Sequence, residues 1–154
     1  MTTMAPHPDF PDADFPRDFG LGTYRLTPLG PDQVDEDFAA VMATAPLFGD
    51  FFGDWPEGLT LEENLIDLAW HEREFTTKRS FSWIIRDAAG GYLGCFYISP
   101  KPGLRGDANA DLWLCDIPDR VAVARAIRLS LDVWMAEHMP SNVAIDWTTS
   151  PQLD

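Results

Sequence analysis

Basic residues are scarce in this chain: 11 lysines and arginines stand against 25 aspartates and glutamates, a net charge of −14. A field of that sign repels nucleic acid and anionic membrane at long range, so neither is expected as a partner. It also opposes anionic small molecules unless a local basic group or a backbone-amide site outweighs it. Long apolar runs are missing too. None approaches the roughly 20 residues of a membrane span, and the opening MTTMAPHPDF lacks the basic and apolar regions of a signal peptide, so a cytoplasmic location is expected. Cysteine is limited to Cys95 and Cys115. They fall on separate predicted strands without the CxxC spacing of a zinc or redox site, which predicts two buried thiols. His7, His71 and His138 lie far apart and show no metal-ligand spacing, so no metal is expected.

What is present is ordinary globular material: 154 residues, 45% hydrophobic, with six tryptophans and ten phenylalanines. A chain of that length buries roughly two-thirds of its unfolded surface around one core. The stretch from Phe81 to Pro100, FSWIIRDAAGGYLGCFYISP, organises the rest. Phe81, Trp83 and Ile85 alternate with Ser82, Ile84 and Arg86, as a pleated strand requires. Asp87 to Gly91 supplies a tight turn. Tyr92 to Ser99 is apolar on both faces, as in a covered central strand, and Pro100 stops it. Gly94 inside that strand reads first as a packing glycine, with a bulge or a close backbone approach as the alternative.

Residues 1–22 show no period of 2 or 3.6 and are read as an irregular arm, in which Phe10, Phe15 and Phe19 are candidate anchors; residues 23–154 form a single domain. Thr23 to Leu29 alternates as a short strand, and Pro28 marks an edge or an end. Val34, Phe38, Val41 and Met42 recur at helical spacing over Pro31 to Thr44, with acidic residues near the positive end. The loop TAPLFGDFFGDWPEG follows; its Phe51, Phe52 and Trp55 either cap the core or line a pocket. Thr60 and Glu63 make a capping box, and Leu61, Leu65, Leu68 and Phe75 mark one face of a helix ending near Phe75. His71 and Glu72 sit toward its far end, where a histidine beside carboxylates can accept a proton near neutral pH, although such a cluster is more often solvated. Lys101 to Gly106 is the most basic short run. Asp107 to Cys115 resumes strand alternation and carries Asp111 and Trp113. DIPDR then opens a long helix, with Asp116 or Asp119 as cap and Ala124, Ile127, Leu131, Trp134 and Met135 as the buried stripe, ending near Met139. Val143, Ile145 and Trp147 mark a last strand, which should run parallel to the strand before the helix. The element order implies an α+β, or mixed α/β, sheet.

This order, with TLEENLIDLAWHEREF leading into FSWIIRD, then GYLGCFYISP and DLWLCD, resembles the GCN5-related N-acetyltransferase (GNAT) family. The closest resemblance is to a short bacterial acetyltransferase-like group with the residues Trp55, Pro56, Thr60, Asn64, Leu65, His71, Phe75, Gly94, Cys95, Tyr97, Ile98 and Pro100, over about Leu21 to Thr149. The resemblance implies a twisted, mostly antiparallel sheet with helices on both faces, truncated after the fifth strand. It further implies acetyl-CoA entering between the fourth and fifth strands, with its pyrophosphate on backbone amides at the start of the long helix. The family's glycine-bearing loop is replaced there by DIPDRVA, so Asp116, Ile117, Asp119, Arg120, Val121 and Ala122 are the implied cofactor residues. Two aspartates at that position add negative charge and, as caps, would occupy the free amides. The tyrosine that often acts as general acid after the fifth strand has no counterpart, since no tyrosine follows Tyr97; Cys115, a water or another subunit would have to serve.

Two functions follow as expectations. One is an N-acetyltransferase acting on an amine, with His71, Glu72 or Asp111 as base. The other is a non-catalytic GNAT-fold module that binds a small molecule or a protein partner in an aromatic cleft formed by Phe51, Phe52, Trp55, Tyr97 and Trp113. An open sheet edge makes a homodimer an expectation as well.

Overall fold

The computed structural model describes residues 5–148; the chain ends included in the sequence-based domain division lie outside them. Six strands form one sheet in sequential order: β1 (Phe19–Leu21), β2 (Tyr24–Pro28), β3 (Phe81–Arg86), β4 (Tyr92–Pro100), β5 (Asp107–Leu114) and β6 (Ala144–Trp147). Every neighbouring pair is antiparallel except β5 and β6, which are parallel across the crossover helix α3 (Arg120–His138). The mixed, mostly antiparallel sheet expected from the sequence is therefore present. The arm ends in β1, a three-residue strand too short to leave a periodic signal. Phe10 and Phe15 are buried, and Phe15 packs edge-on against Phe81 at 4.6 Å. Asp9 ties the arm down, accepting from Arg105 Nε and the Gly106 amide, both at 2.8 Å.

Strand alternation divides the core. Trp83, Ile85, Phe96, Leu112 and Leu114 join the α3 stripe of Ala124, Ile127, Leu131, Trp134 and Met135 in one cluster. Ile84, Cys95 and Trp113 face the other way and meet helices α1 (Val34–Phe48) and α2 (Leu61–Thr76) through Val41, Phe48 and Leu68.

Both of these helices are turned relative to the sequence reading. On α1 the buried positions are Asp37, Val41, Thr44 and Phe48, whereas Met42 is exposed. On α2 they are Asn64, Leu68 and Phe75, and Leu61 and Leu65 are 45% and 41% exposed. The cause is one polar contact: Asn64 Nδ2 donates to Asp37 Oδ2 at 2.9 Å, so each side chain satisfies the other inside the core. Helix α1 also runs past Thr44 through Pro46 to Phe48, where the sequence predicted loop. The N-cap at Thr60 is as expected, its hydroxyl accepting from the Glu63 amide at 3.1 Å.

Gly94 is a close backbone approach. A Cβ there would lie 1.9 Å from the Trp113 carbonyl oxygen and 2.9 Å from the Leu114 Cα. It also adjoins a β-bulge: Ile85 pairs with Gly94 and Arg86 with Tyr92, leaving Leu93 as the extra residue of β4. The Leu93 carbonyl accepts the Cys115 amide at 2.7 Å, which fixes the direction in which β5 ends.

Candidate active site

The pairing of β5 with β6 covers Asp107 to Ala110 on one strand and Ala144 to Trp147 on the other. One further bond, from the Thr148 amide to the Ala110 carbonyl at 2.9 Å, closes the ladder. Strand β5 continues for Asp111 to Leu114 past its pairing with β6, whose described residues end at Trp147. The far end of β5 leads through Cys115–Asp119 to the start of α3.

Beside Asp111, on the α1/α2 face, lies a cavity of about 350 Å³. Helix α2 contributes Asp67 and His71, one turn apart and hence on the same face. Strand β4 contributes Tyr97 and Ser99, β5 contributes Asp111, and the loop before α2 contributes Phe52 and Trp55. Tyr97 and Asp111 are direct cross-strand partners, so their side chains share a face. The His71 ring lies 5.8 Å from that of Tyr97, tilted by 34°.

A polar network under the cavity fixes these groups. Trp113 Nε1 donates to the Tyr97 hydroxyl at 2.9 Å. The Tyr92 hydroxyl donates to Asp37 Oδ1 and contacts Cys95 Sγ at 3.0 Å. Burial holds the His71 imidazole below its ordinary value, against the opposing pull of Asp67, Asp37 and Glu74. It is therefore neutral at physiological pH. Burial raises the Asp111 carboxyl, and a hydrogen bond with Thr148 opposes that shift. The Trp55 indole N–H is buried without an acceptor, a cost of roughly 1–3 kcal/mol, which marks the aromatic loop as the least well satisfied part of the wall.

Of the residues named from sequence, His71, Asp111, Phe52, Trp55 and Tyr97 meet at this cavity. Glu72 does not: its carboxylate faces Gly30, because one residue along a helix turns the side chain by about 100°. Cys115 lies apart from the cavity lining, with its thiol 3.9 Å from the Tyr92 carbonyl and bonded to Thr44. Trp113 is buried beneath Tyr97, and Phe51 packs on Phe52 at 4.6 Å outside the lining. Asp67 was missed, although its spacing from His71 signals a shared face. Among the described residues no group of histidine, cysteine or carboxylate side chains is placed to hold a metal, and no helix is long and apolar enough to cross a membrane.

The start of α3 differs from the sequence expectation. Asp119 takes a left-handed conformation, φ 56° and ψ 34°, and its side chain makes no capping bond. The first helical bond there runs from the Val123 amide to the Asp119 carbonyl at 2.9 Å. The Asp119 side chain thus does not serve as the cap expected from the sequence, and Pro118 lies just before the helix. Arg120 Nε donates to the Leu114 carbonyl at 3.0 Å, tying the helix start to the end of β5.

No protein-family profile matches the chain, and no curated protein sequence is similar to it. Solved structures are similar in shape. A putative ribosomal-protein-serine acetyltransferase from Vibrio cholerae superposes with a TM-score of 0.68 at 13% identity, over 96% of this chain and 77% of that one. A putative GNAT-family acetyltransferase from Bordetella pertussis gives 0.57 at 12%, over 77% and 74%. The chain has the GNAT acetyltransferase fold. The ribosomal L7/L12 alpha-N-protein acetyltransferase RimL, solved in complex with coenzyme A, adds a TM-score of 0.66 at 13% identity over 82% of this chain and 70% of that one. The sequence resemblance assigns the coenzyme to the place between β5 and β6 at the start of α3.

Proposed function

We propose that the protein is an acetyl-CoA-dependent N-acetyltransferase. The observation that carries this reading is a cavity holding a neutral histidine and two carboxylates in a fold shared with acetyltransferases, with Asp111 placed on β5 just past its pairing with β6. The start of α3, where Asp119 makes no side-chain cap, is the helix N-terminus that would face a pyrophosphate. Bound between β5 and β6 at that helix start, acetyl-CoA would supply an acyl thioester. The chain's own part is to bind and deprotonate the amine. Asp67 and Asp111 hold the ammonium form in the cavity, and His71, kept neutral by burial, takes the proton so that the nitrogen lone pair is free to attack. The aromatic wall excludes water around the reacting nitrogen.

Asp116 and Asp119 favour a second reading, a GNAT-fold protein that binds a cavity ligand without coenzyme. Thermal unfolding separates the two. Acetyl-CoA at 100 times its dissociation constant stabilises the folded state by about 2.7 kcal/mol, roughly 5–10 °C for a chain of this size. The absence of any shift at millimolar ligand rejects the transferase reading. Joint replacement Asp116→Asn and Asp119→Asn removes two negative charges from the helix start and is expected to tighten acetyl-CoA binding by about threefold to tenfold. Unchanged binding would show that those charges do not oppose the coenzyme.

A further inference from the structure

The cavity names its acceptor more closely than "an amine", an inference that rests on the transfer reading above. Its ionisable lining consists of Asp67, Asp111 and His71, with no lysine or arginine. His71 is neutral, so the cavity presents negative charge only, in a chain whose net charge is already −14. The two carboxylates come from different elements, α2 and β5, and so approach a ligand from separate directions. The other walls are aromatic: Trp55 and Phe52 from the loop, Tyr97 from β4 and Phe81 from β3. Ring faces bind apolar carbon and also attract an ammonium group. A volume of about 350 Å³ lies at the small end of ligand pockets. It has room for a compact molecule.

We infer that the acceptor is a compact primary amine with an aromatic or branched apolar body, bound as the ammonium by Asp67 and Asp111. The amine is a cation on arrival, matching the field of the protein, and its apolar body fills the space between the rings.

Calorimetry without coenzyme tests this with 2-phenylethylamine as probe, against 2-phenylethanol, 3-phenylpropionate and a short peptide with a free N-terminal serine. The amine is expected to bind, the alcohol about tenfold or more weaker and the carboxylate not measurably, since only an ammonium makes charge-assisted bonds to both carboxylates; the peptide, an ammonium without an apolar body beside it, is expected to bind more weakly than the amine. Asp67→Asn and Asp111→Asn are each expected to weaken the amine by about tenfold while leaving the alcohol unchanged. That pairing also serves as the folding control, because a misfolded cavity would lose both ligands. Alcohol binding as tight as the amine, amine binding unaffected in both variants, no amine binding, or peptide binding at least as tight as the amine would each overturn the inference. The two readings fail separately. If the amine binds as described while acetyl-CoA neither binds nor reacts, the transfer reading falls and the ligand assignment stands. If a peptide is acetylated while 2-phenylethylamine neither binds nor reacts, the reverse holds.

Discussion

Gly94→Ala is expected to remove more than about 4 kcal/mol of stability, an exceptional loss for adding one methyl group. The added Cβ would sit 1.9 Å from the Trp113 carbonyl oxygen and 2.9 Å from the Leu114 Cα, both backbone atoms of the neighbouring strand. A side chain can rotate away from such a clash, but β5 can move only by giving up its ladder to β4. That ladder runs from Gly94–Leu114 to Pro100–Ala108 through the centre of the sheet. Typical domains have only about 5–15 kcal/mol in total, so the variant should be largely unfolded at modest urea concentrations. Two other glycines calibrate the result. At Gly20 a Cβ meets nothing within 4 Å, and at Gly30 it meets the Glu72 carboxylate, the far end of a long, exposed side chain. Both should tolerate alanine within about 1 kcal/mol. Urea midpoints for the three variants decide the matter, and a Gly94→Ala loss no larger than that at Gly20 would contradict the close approach.

His71→Gln is expected to lower kcat/KM by about 10²–10⁴, the usual contribution of a positioned general base, while leaving the urea midpoint close to wild type. His71 is only partly buried, and its ring contact with Tyr97 can be kept by glutamine's apolar stem. The pH profile supplies a signature that a merely structural role would not. Because burial holds the folded imidazole below its ordinary 6.5, the basic form is populated from below that pH upward. Activity should therefore fall on the acid side only below pH 6.5. Asp67→Asn, which removes the largest of the charges favouring the protonated ring, should move that limb lower still. In His71→Gln the limb should vanish. A limb that persists in His71→Gln would assign the proton to another group.

The sheet was legible in the sequence because its signal is local. Alternation through Phe81 to Arg86 and Asp107 to Leu114 reflects the period of a pleated strand, and the α3 stripe from Ala124 to Met135 reflects the 3.6-residue turn. The rotations of α1 and α2 were not legible. Assigning the buried face by hydrophobicity fails when two polar side chains satisfy each other in the core, and Asp37 and Asn64 are 27 residues apart. Nothing in either helix alone shows that its polar residue has a partner. The site divides in the same way. His71, Asp111, Trp55 and Tyr97 were recognisable by chemistry, but proximity in sequence misplaced Glu72, whose side chain leaves the His71 face. Helical spacing would have pointed to Asp67. The conformation of Asp119 could not be read at all, since aspartate caps helices far more often than it takes a left-handed turn before one.

Release of coenzyme A thiol from acetyl-CoA, followed with and without 2-phenylethylamine, tests most directly whether the cavity is an acetyl-transfer site. The account predicts amine-dependent thiol release by the wild-type protein, saturable in amine and reduced by about 10²-fold or more in His71→Gln. Thiol release that stays at background with every amine offered to the folded protein, or that is equal in wild type and His71→Gln, would contradict it.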